Sequence, residues 1–287
     1  MNLSERLPTW CFNAVYLAAL VAASPWLLWR VAVQRKNRRG WADKLWGRVD
    51  VPVDPRATIW FHAVSVGEVN VLKRVVHQWR AAHPDHRLVI TSGTGTGFDL
   101  ARQLFGREHT VCFCPHDFSW AINNAMQRIR PTMIVLAELE LWPNLIAIAD
   151  ARKIPVSVIN GRLSESSFRG YRRFRRWLTP SFRRLSLVAA QHETYARRFR
   201  EMGCDTSRVV VSGNLKFDGA RTRRDHADHA AVRQFAVDAG LDANTPVLVA
   251  GSTQVEDERV AIDAFLELRR DLPELRLVLV PRHPKRR

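Results

Sequence analysis

The stretch from residue 57 to residue 82 constrains the fold most, because it has the pattern of a strand, a tight turn and a helix. An apolar run from Ala57 to Val64 ends in a Ser-Val-Gly turn, and Glu68 then opens an amphipathic segment. Ligand-binding groups of open α/β sheets collect at the carboxyl ends of strands, where Glu68 would lie. A first-turn carboxylate also complements the helix dipole. Position alone therefore leaves a functional and a purely structural interpretation of Glu68 open.

The same alternation of short apolar runs and amphipathic segments continues along the chain and predicts a doubly wound, Rossmann-like parallel sheet. The strands expected in this first domain are Thr58–Val64, Arg87–Thr91, Thr110–Cys114, Met133–Glu138, Val156–Asn160, Leu185–Ala190 and Val209–Ser212. A second α/β pattern, with strands near 247–250 and 276–280, stops after little more than one repeat. So small a unit buries too little surface to stand alone, so we expect the second domain to be only partly present.

The segment Trp10–Trp29 contains no charged residue and has about the length, on the order of 20 residues, of a bilayer-spanning helix. Basic residues follow it at once, which by the positive-inside rule predicts that the remainder lies in the cytoplasm. A helix lying flat on the membrane and a buried core helix are the alternatives. The predicted organisation is a membrane anchor with its basic flank (1–36), a connector (37–56), a first α/β domain (57–213), a linker (214–226) and a partial second domain (227–287).

The formal net charge of +16 over 287 residues implies an anionic partner. The most basic segment of the chain follows Asn160, and there arginines alternate with aromatic residues at helical spacing. The arginines singled out here are Arg162, Arg169, Arg172, Arg173 and Arg176. Such a helix suits an anionic lipid surface or phosphate groups. Nucleic acid is a competing partner that the preceding apolar segment disfavours, and a solvated helix face is the structural alternative.

Neither a metal site nor a P-loop is predicted. The four cysteines are irregularly placed, and no second Cys pair with zinc spacing exists, so we expect reduced, mostly buried thiols. The Gly-rich stretch 91–97 follows a strand and precedes a helix, but it lacks the Lys of a P-loop. A generic strand-to-helix turn is the favoured interpretation.

Further polar residues stand at the ends of other predicted strands. Glu138 and Glu140 flank Leu139 and share one face of an extended segment, where a carboxylate is costly unless it meets solvent, a cation or a substrate. Capping of the next helix is the alternative. Lys216 lies at the domain junction, and the pairs Ser252-Thr253 and Pro281-Arg282 end strands of the second domain.

Taken together, these stretches resemble the Kdo transferase family, the 3-deoxy-D-manno-octulosonic acid transferases. The motifs that match in order and spacing are His62–Glu68, Glu138–Asn144, Arg162–Ser164, Gly213–Asp218 and Pro281–Pro284. The resemblance covers nearly the whole chain. It implies an inverting glycosyltransferase of B-type architecture, with two Rossmann-like domains facing across a cleft. It also implies transfer of Kdo from CMP-Kdo to a lipid A precursor (lipid IVA) in lipopolysaccharide core biosynthesis, with no metal and no cofactor.

The resemblance also implies catalytic roles. Glu68 matches the general base that takes the proton of the acceptor hydroxyl as its oxygen attacks the anomeric carbon of Kdo. Glu138 and Lys216 match positions that stabilise the transition state. A helix N-terminus lowers the pKa of a carboxylate, whereas a general base benefits from a raised one. We expect burial in a closed cleft to offset the effect of the helix.

The donor and acceptor sides follow from the same resemblance. Pro281 and Arg282 match contacts to the CMP part of the donor, and Ser252 joins them in a partial CMP-sugar-binding domain over 227–287. The first domain, over 57–213, would bind the acceptor. Its basic helix and the connector would hold the membrane surface and the phosphates of the lipid A precursor, and no nucleic acid is expected.

The chain departs from the family at its end, because the Gly-rich and acidic motifs that complete the nucleotide site do not follow Pro284 before Arg287. We therefore expect the isolated chain to be a truncated, inactive form. Two other functions remain open. One is a related glycosyltransferase with another lipid acceptor, and the other is a membrane-attached protein that binds acidic lipid.

Overall fold

The computed structural model describes residues 3–32, 39–138, 141–218, 228–242 and 244–282. The chain forms two compact units, Met1–Ala220 and Arg221–Arg287. Each is described by itself below.

The first unit is built on a seven-stranded sheet in which every neighbouring pair is parallel. The strands are β1 (Thr58–Ala63), β2 (Arg87–Ser92), β3 (Thr110–Phe113), β4 (Met133–Ala137), β5 (Val156–Gly161), β6 (Leu187–Ala190) and β7 (Val209–Val211). Their order is β3-β2-β1-β4-β5-β6-β7, so the winding reverses between β1 and β4. That reversal is the switch point at which open α/β sheets bind ligands. The predicted strands and the α/β, Rossmann-like fold class are confirmed, with small differences at strand ends.

Helices surround this sheet. Those of the first unit are α1 (Leu3–Ala32), α2 (Trp41–Trp46), α3 (Val66–Ala82), α4 (Gly95–Phe105), α5 (Ser119–Ile129), α6 (Pro143–Ala151), α7 (Glu165–Arg173), α8 (Arg175–Arg183) and α9 (Glu193–Met202). The basic segment after Asn160, whose spacing predicts one helix, forms the two helices α7 and α8, because Phe174 leaves the helical region with φ −109° and ψ 26°.

The alternation of side chains along β1 shows how the core is divided between the two faces of the sheet. Ile59 and Phe61 pack into the cluster that includes α3 and α4, whereas Trp60 packs into the larger cluster with α5, α6, α8 and α9. Trp60 and Phe61 are both fully buried. A strand covered on both faces explains why its sequence is an apolar run rather than an alternating one.

Helix α1 docks on the first unit through polar side chains within its apolar sequence. The Asn13 side-chain amide donates a hydrogen bond to Ser119 Oγ (2.7 Å), and the Tyr16 hydroxyl donates to Asp117 Oδ2 (3.0 Å). Val15 and Val21 remain exposed. Among the described residues, no helix combines the length and the apolar character needed to cross a membrane. The expectation that Trp10–Trp29 crosses a bilayer is therefore not confirmed.

The connector packs against the helices of the first unit. The Trp120 indole N–H donates to the carbonyl of Leu45, and the Asn124 side chain donates to that of Trp46. Gly47 ends α2 with φ 63°, and a Cβ atom there would lie 1.9 Å from the Ala121 carbonyl oxygen. Glycine is therefore required at this close approach.

The second unit contains two parallel strands and two helices among the residues that the structure describes. These are α10 (Asp228–Asp238), β8 (Val247–Thr253), α11 (Val255–Leu268) and β9 (Arg276–Pro281). A register shift between Gly251 and Thr253 interrupts the pairing of β8 with β9.

Candidate active site

Glu68 lies in the first turn of α3, in the loop that follows β1. The N-cap residue of α3 is Ser65, whose hydroxyl oxygen accepts from the Glu68 N–H (3.4 Å). In return, the Glu68 carboxylate accepts from the Ser65 hydroxyl (3.0 Å) and from the N–H of Val64 (2.7 Å). This reciprocal arrangement is close to a capping box. It holds both carboxylate oxygens in a fixed direction.

The loop that carries Glu68 is held from behind by the Gly-rich stretch 91–97. The carbonyl of Val64 accepts from Ser92 Oγ (3.2 Å), from Thr94 Oγ1 (2.8 Å) and from the Thr94 N–H (3.2 Å). A Cβ atom at Gly97 would lie 2.4 Å from Ser92 Oγ. The stretch thus acts as a tight strand-to-helix turn that supports the neighbouring loop.

The environment of Glu68 favours the protonated carboxyl more than water does. The residue is 9% exposed, and burial, the largest effect, raises its pKa. The hydrogen bonds from Val64 and Ser65 lower the pKa in part, and the nearby Glu138 carboxylate raises it. The net pKa is raised, in the direction expected from burial. A carboxylate with a raised pKa is a better proton acceptor at neutral pH than an ordinary glutamate.

Glu138 follows β4, the strand that pairs with β1 at the switch point. Its backbone is left-handed (φ 57°), which is uncommon for a residue other than glycine. Its carboxylate forms an ion pair with Lys216, with 3.0 Å between Oε1 and Nζ. Strained backbone of this kind is concentrated at functional sites. The structure therefore brings Glu68, Glu138 and Lys216 to one edge of the sheet.

Asn160 is a residue of this site that the sequence analysis did not single out. It is buried at the end of β5 with φ 52°, and its side-chain oxygen accepts from the N–H of Leu215 (3.0 Å). Its carbonyl accepts from the Gln191 side chain (2.9 Å). Asn160 therefore holds the turn that presents Lys216. The available signal was Asn-Gly at a strand end, since asparagine adopts the left-handed region more readily than most residues.

Two uncharged aromatic side chains, His62 and Trp142, pack against each other near the edge of the sheet that carries Glu68. His62 is buried, its Nδ1 lies 3.0 Å from Thr91 Oγ1, and its ring meets that of Trp142 edge to face at 5.3 Å. Burial lowers the pKa of His62 to about 4, so the imidazole is neutral at pH 7. Neither His62 Nε2 nor Trp142 Nε1 has a hydrogen-bond partner among the described residues.

The arginines predicted to contact phosphates or membrane lie together on one part of the first unit. One of them follows β5, three lie on α7 and one lies on α8, and all five side chains are exposed. They are Arg162, Arg169, Arg172, Arg173 and Arg176. Their assignment stays a prediction.

The predicted donor-binding residues are neighbours within the second unit. Pro281 pairs with Thr253 across the two strands, and the N–H of Arg282 donates to the Thr253 carbonyl (3.0 Å). Ser252, immediately before, has a left-handed backbone with φ 61°. These residues therefore share the carboxyl edge of their sheet. Glu140, His283 and Pro284 lie outside the described residues.

The part of the chain that the structure describes contains no candidate metal-binding site. There, no group of three or more His, Cys, Asp or Glu side chains is placed to hold an ion. A reaction without metal stays a prediction.

Solved structures with the same α/β fold are similar to this chain. A UDP-GlcNAc 2-epimerase from Neisseria meningitidis superposes with a TM-score of 0.55 at 14% identity, covering 77% of this chain and 64% of that one. A UDP-N-acetylglucosamine 2-epimerase from Listeria monocytogenes gives a TM-score of 0.52 at 8% identity, covering 78% and 62%. At such identities the likeness concerns the α/β architecture alone, and it agrees with the predicted fold class.

Curated relatives carry a more specific name, 3-deoxy-D-manno-octulosonic acid transferase. The protein from Haemophilus influenzae is 29% identical over 81% of this chain and 53% of its own length. That from Chlamydia pneumoniae is 31% identical over 72% and 48%, and that from Bordetella pertussis is 30% identical over 96% and 65%. The chain thus spans about half to two thirds of the length of these relatives.

A family model described as 3-deoxy-D-manno-octulosonic-acid transferase (kdotransferase) matches residues 34–219. The match is well over half of the chain and includes the loops that carry Glu68, Glu138 and Lys216. The chain belongs to the 3-deoxy-D-manno-octulosonic-acid transferase family.

Proposed function

We propose that the protein transfers Kdo from CMP-Kdo to a lipid A precursor, with inversion, in lipopolysaccharide core biosynthesis. The observation that carries the proposal is the arrangement at the switch point. There a buried carboxylate with a raised pKa, Glu68, lies close to the Glu138–Lys216 ion pair. The unit Met1–Ala220 would bind the acceptor, and the strand ends at Ser252, Pro281 and Arg282 would contact the donor.

The proposed reaction has one displacement step. The acceptor hydroxyl oxygen forms a bond to the anomeric carbon of Kdo while its proton passes to the Glu68 carboxylate. The bond between that carbon and the CMP phosphate oxygen breaks, and CMP leaves with the electron pair. Lys216 supplies a cation for the negative charge that develops, and Arg282 would do so at the phosphate. No metal or cofactor enters this scheme, and we expect transfer to persist in EDTA.

The exposed surface of α7 and α8 supports a membrane-facing role at the cytoplasmic side of the inner membrane. Phe174 and Trp177, at the junction of these helices, are 59% and 57% exposed, with arginines on both sides. Aromatic side chains among arginines suit the headgroup region of an anionic membrane. A lipid acceptor would reach the site from that surface.

A transfer assay tests the proposal. The protein assayed extends this chain, residues 1–287, with the part of the Haemophilus influenzae relative that has no counterpart in it, so that a complete donor half is present. We expect this fusion protein to convert CMP-Kdo and lipid IVA to a Kdo-bearing lipid. Glu68→Gln, which keeps the shape of the side chain but cannot take the proton, should lower kcat by about 10²-fold or more. A folded fusion protein that binds CMP-Kdo but forms no product would overturn the proposal.

Two alternatives give different results in the same experiments. A related glycosyltransferase with another lipid acceptor would use a different nucleotide sugar or lipid in a donor and acceptor screen. The second alternative is a membrane-attached protein that binds acidic lipid. The observation that favours it is the exposure of Phe174 and Trp177. In that case liposome binding would persist in Glu68→Gln while no transfer is seen with the unaltered site.

A further inference from the structure

A cleft beside Glu68 has no role in the function described above. It has a volume of about 620 Å³ and lies between α3, the segment from the end of α4 to His109, and the pair Leu215–Lys216. It is named the α3–α4 cleft here. All of its lining residues belong to the first unit.

One face of α3 forms the length of this cleft. Asn70, Arg74, His77 and Arg80 line it at spacings of three and four residues, which place them on one helix face. From Gly67 to Arg80, at 1.5 Å per residue, the helix rises about 20 Å. The cleft is therefore an elongated groove that is long enough for more than a single ion.

The rim of the α3–α4 cleft is strongly cationic. Lys73, Arg74, Arg80 and Arg107 line it, together with Lys216, and face a single lining carboxylate, Glu108. Among the described residues, Lys73, Arg74, Arg80 and Arg107 form no ion pair with a carboxylate. The pKa of His109 in the same cleft is lowered, chiefly by burial and in part by the Arg80 guanidinium, whereas Glu108 raises it. Such a rim favours an anion.

The floor of the cleft is apolar. Val71, Val76 and Phe105 line it and are buried from solvent, with Leu104 beside them. A free phosphate ion would gain nothing from such a floor, because its contacts are hydrogen bonds and charge. A ligand with phosphate groups on a sugar body would use both parts, its C–H faces on the floor and its phosphates at the rim.

One end of the groove reaches the candidate active site. Gly67 precedes Glu68 directly, and Lys216, at the same end, forms the ion pair with Glu138. A ligand lying in the groove can therefore present a hydroxyl group to Glu68 while its anionic groups lie along α3.

We propose that the α3–α4 cleft binds the phosphorylated sugar headgroup of the acceptor, with its phosphates held by Arg74, Arg80 and Arg107. The inference rests on the proposed function for the identity of the ligand. It assigns the acceptor phosphates to α3 and the segment after α4 rather than to the arginines of α7 and α8.

Calorimetric titration of the 287-residue chain tests the inference. The probe is a glucosamine disaccharide that carries two phosphates and no acyl chains. We expect Arg74→Gln and Arg107→Gln each to weaken its binding at least tenfold, since each removes a charge-assisted hydrogen bond. Arg197→Gln is the matched control, because within the described ranges this exposed arginine of α9 forms an ion pair with Glu201 alone (3.6 Å) and does not line the cleft. It should leave Kd unchanged. Circular dichroism verifies that each variant is folded.

Two further ligands separate a built site from general attraction to charge. The phosphate-free disaccharide should bind at least tenfold more weakly than the phosphorylated one, and inorganic pyrophosphate should also bind more weakly. Equal binding of pyrophosphate and headgroup, or an equal loss of binding in Arg197→Gln, would overturn the inference.

Failure of the inference can be told apart from failure of the proposed function. The titration contains no donor, so it measures binding at the cleft independently of Kdo transfer. If the cleft variants keep full affinity while the fusion protein transfers Kdo, the cleft inference is wrong and the proposed function stands. If the cleft variants lose affinity but the fusion protein forms no Kdo product, binding at the cleft stands and the proposed function is wrong.

Discussion

Lys216 Nζ lies 3.0 Å from Glu138 Oε1, although the two residues come from distant parts of the chain. Glu138 directly follows β4 at the switch point, and Lys216 lies in the turn after β7 that Asn160 holds. The pair places a cation at the same edge as the Glu68 carboxylate. Because Lys216 is 46% exposed, its ion pair contributes little to stability, and we propose that its role is in the transfer reaction.

Lys216→Ala should therefore separate activity from stability. We expect kcat for Kdo transfer by the fusion protein to fall by about 10²-fold, because a cation that offsets developing charge is lost. The free energy of unfolding in urea should change by less than about 1 kcal/mol. Arg197→Ala, which breaks an exposed pair with Glu201, is the control and should leave both quantities unchanged. A loss of stability that accounts for the loss of activity would contradict the assignment.

The left-handed backbone of Glu138 predicts a difference between two substitutions that both remove its carboxylate. Glu138→Gly should be more stable than Glu138→Ala by about 1 kcal/mol, because a Cβ atom is strained at φ 57°. Both variants should lose Kdo transfer to the same extent. Urea unfolding and initial rates measure the two effects. Equal stabilities would show that no strain is stored at this position.

The environment of Glu68 predicts the pH dependence of transfer. Only the ionised carboxylate takes a proton, so the rate should rise with pH, with a midpoint above the ordinary glutamate value of about 4.3. Ser65→Ala removes a hydrogen bond that lowers the pKa of Glu68, so the midpoint should move to higher pH. Ser164→Ala removes the N-cap of α7 instead and should leave the midpoint in place. An unchanged profile in Ser65→Ala would contradict the role of Glu68 as base.

The raised pKa of Glu68 also makes the stability of the protein depend on pH. The direction is opposite to that of a salt-bridged carboxylate, whose pKa is lowered on folding. The folded protein holds the Glu68 proton more tightly than the unfolded chain does. Its contribution to stability is therefore present below the unfolded pKa and is lost as pH rises through the folded pKa. In Glu68→Gln this part of the pH dependence of urea unfolding should vanish.

The fold followed from the sequence because its signals are local. Each strand is an apolar run bounded by a turn, and Glu68 could be placed because Ser65 and Gly67 mark a helix start. The left-handed backbone of Glu138 could not be predicted, since glutamate has no preference for that region and tertiary contacts impose it. Nor could the α3–α4 cleft, because its walls come from segments whose proximity depends on the complete sheet.

The docking of α1 was missed for a related reason. Asn13 and Tyr16 lie in an uncharged, apolar segment, where polar side chains are read as tolerated exceptions. Their partners, Ser119 and Asp117, are distant in sequence, and only the folded unit brings them together.

Asn160 should act as a positioning residue for Lys216. Asn160→Gly keeps a backbone that accepts φ 52° but removes the oxygen that holds the Leu215 N–H. We expect kcat for Kdo transfer to fall by about tenfold, with KM for CMP-Kdo unchanged. Asn160→Ala adds backbone strain and should also lower stability by about 1 to 2 kcal/mol relative to Asn160→Gly. Full activity in Asn160→Gly would show that the turn carrying Lys216 is held by other contacts.

The hydrogen bond from Tyr16 to Asp117 predicts a pH-dependent attachment of α1. Asp117 is buried, and burial raises its pKa to about 7, whereas the N–H groups of Asn144 and Leu145 and the Tyr16 hydroxyl lower it in part. The contribution of Asp117 to stability is thus present below its unfolded pKa of about 3.9 and is lost as pH rises through about 7. Tyr16→Phe removes a donor that favours the carboxylate, so it should destabilise the protein more at pH 8 than at pH 5.

We expect the free energy of unfolding of Tyr16→Phe at pH 8 to fall by about 1.5 to 3 kcal/mol, the usual contribution of a hydrogen bond to a charged group. At pH 5, where the Asp117 carboxyl is protonated, the loss should be closer to about 1 kcal/mol. Urea unfolding at both pH values measures the difference, with Tyr195→Phe on α9 as the control. A loss of equal size at the two pH values would mean that Asp117 does not ionise in this range, and the attachment of α1 would then be independent of pH.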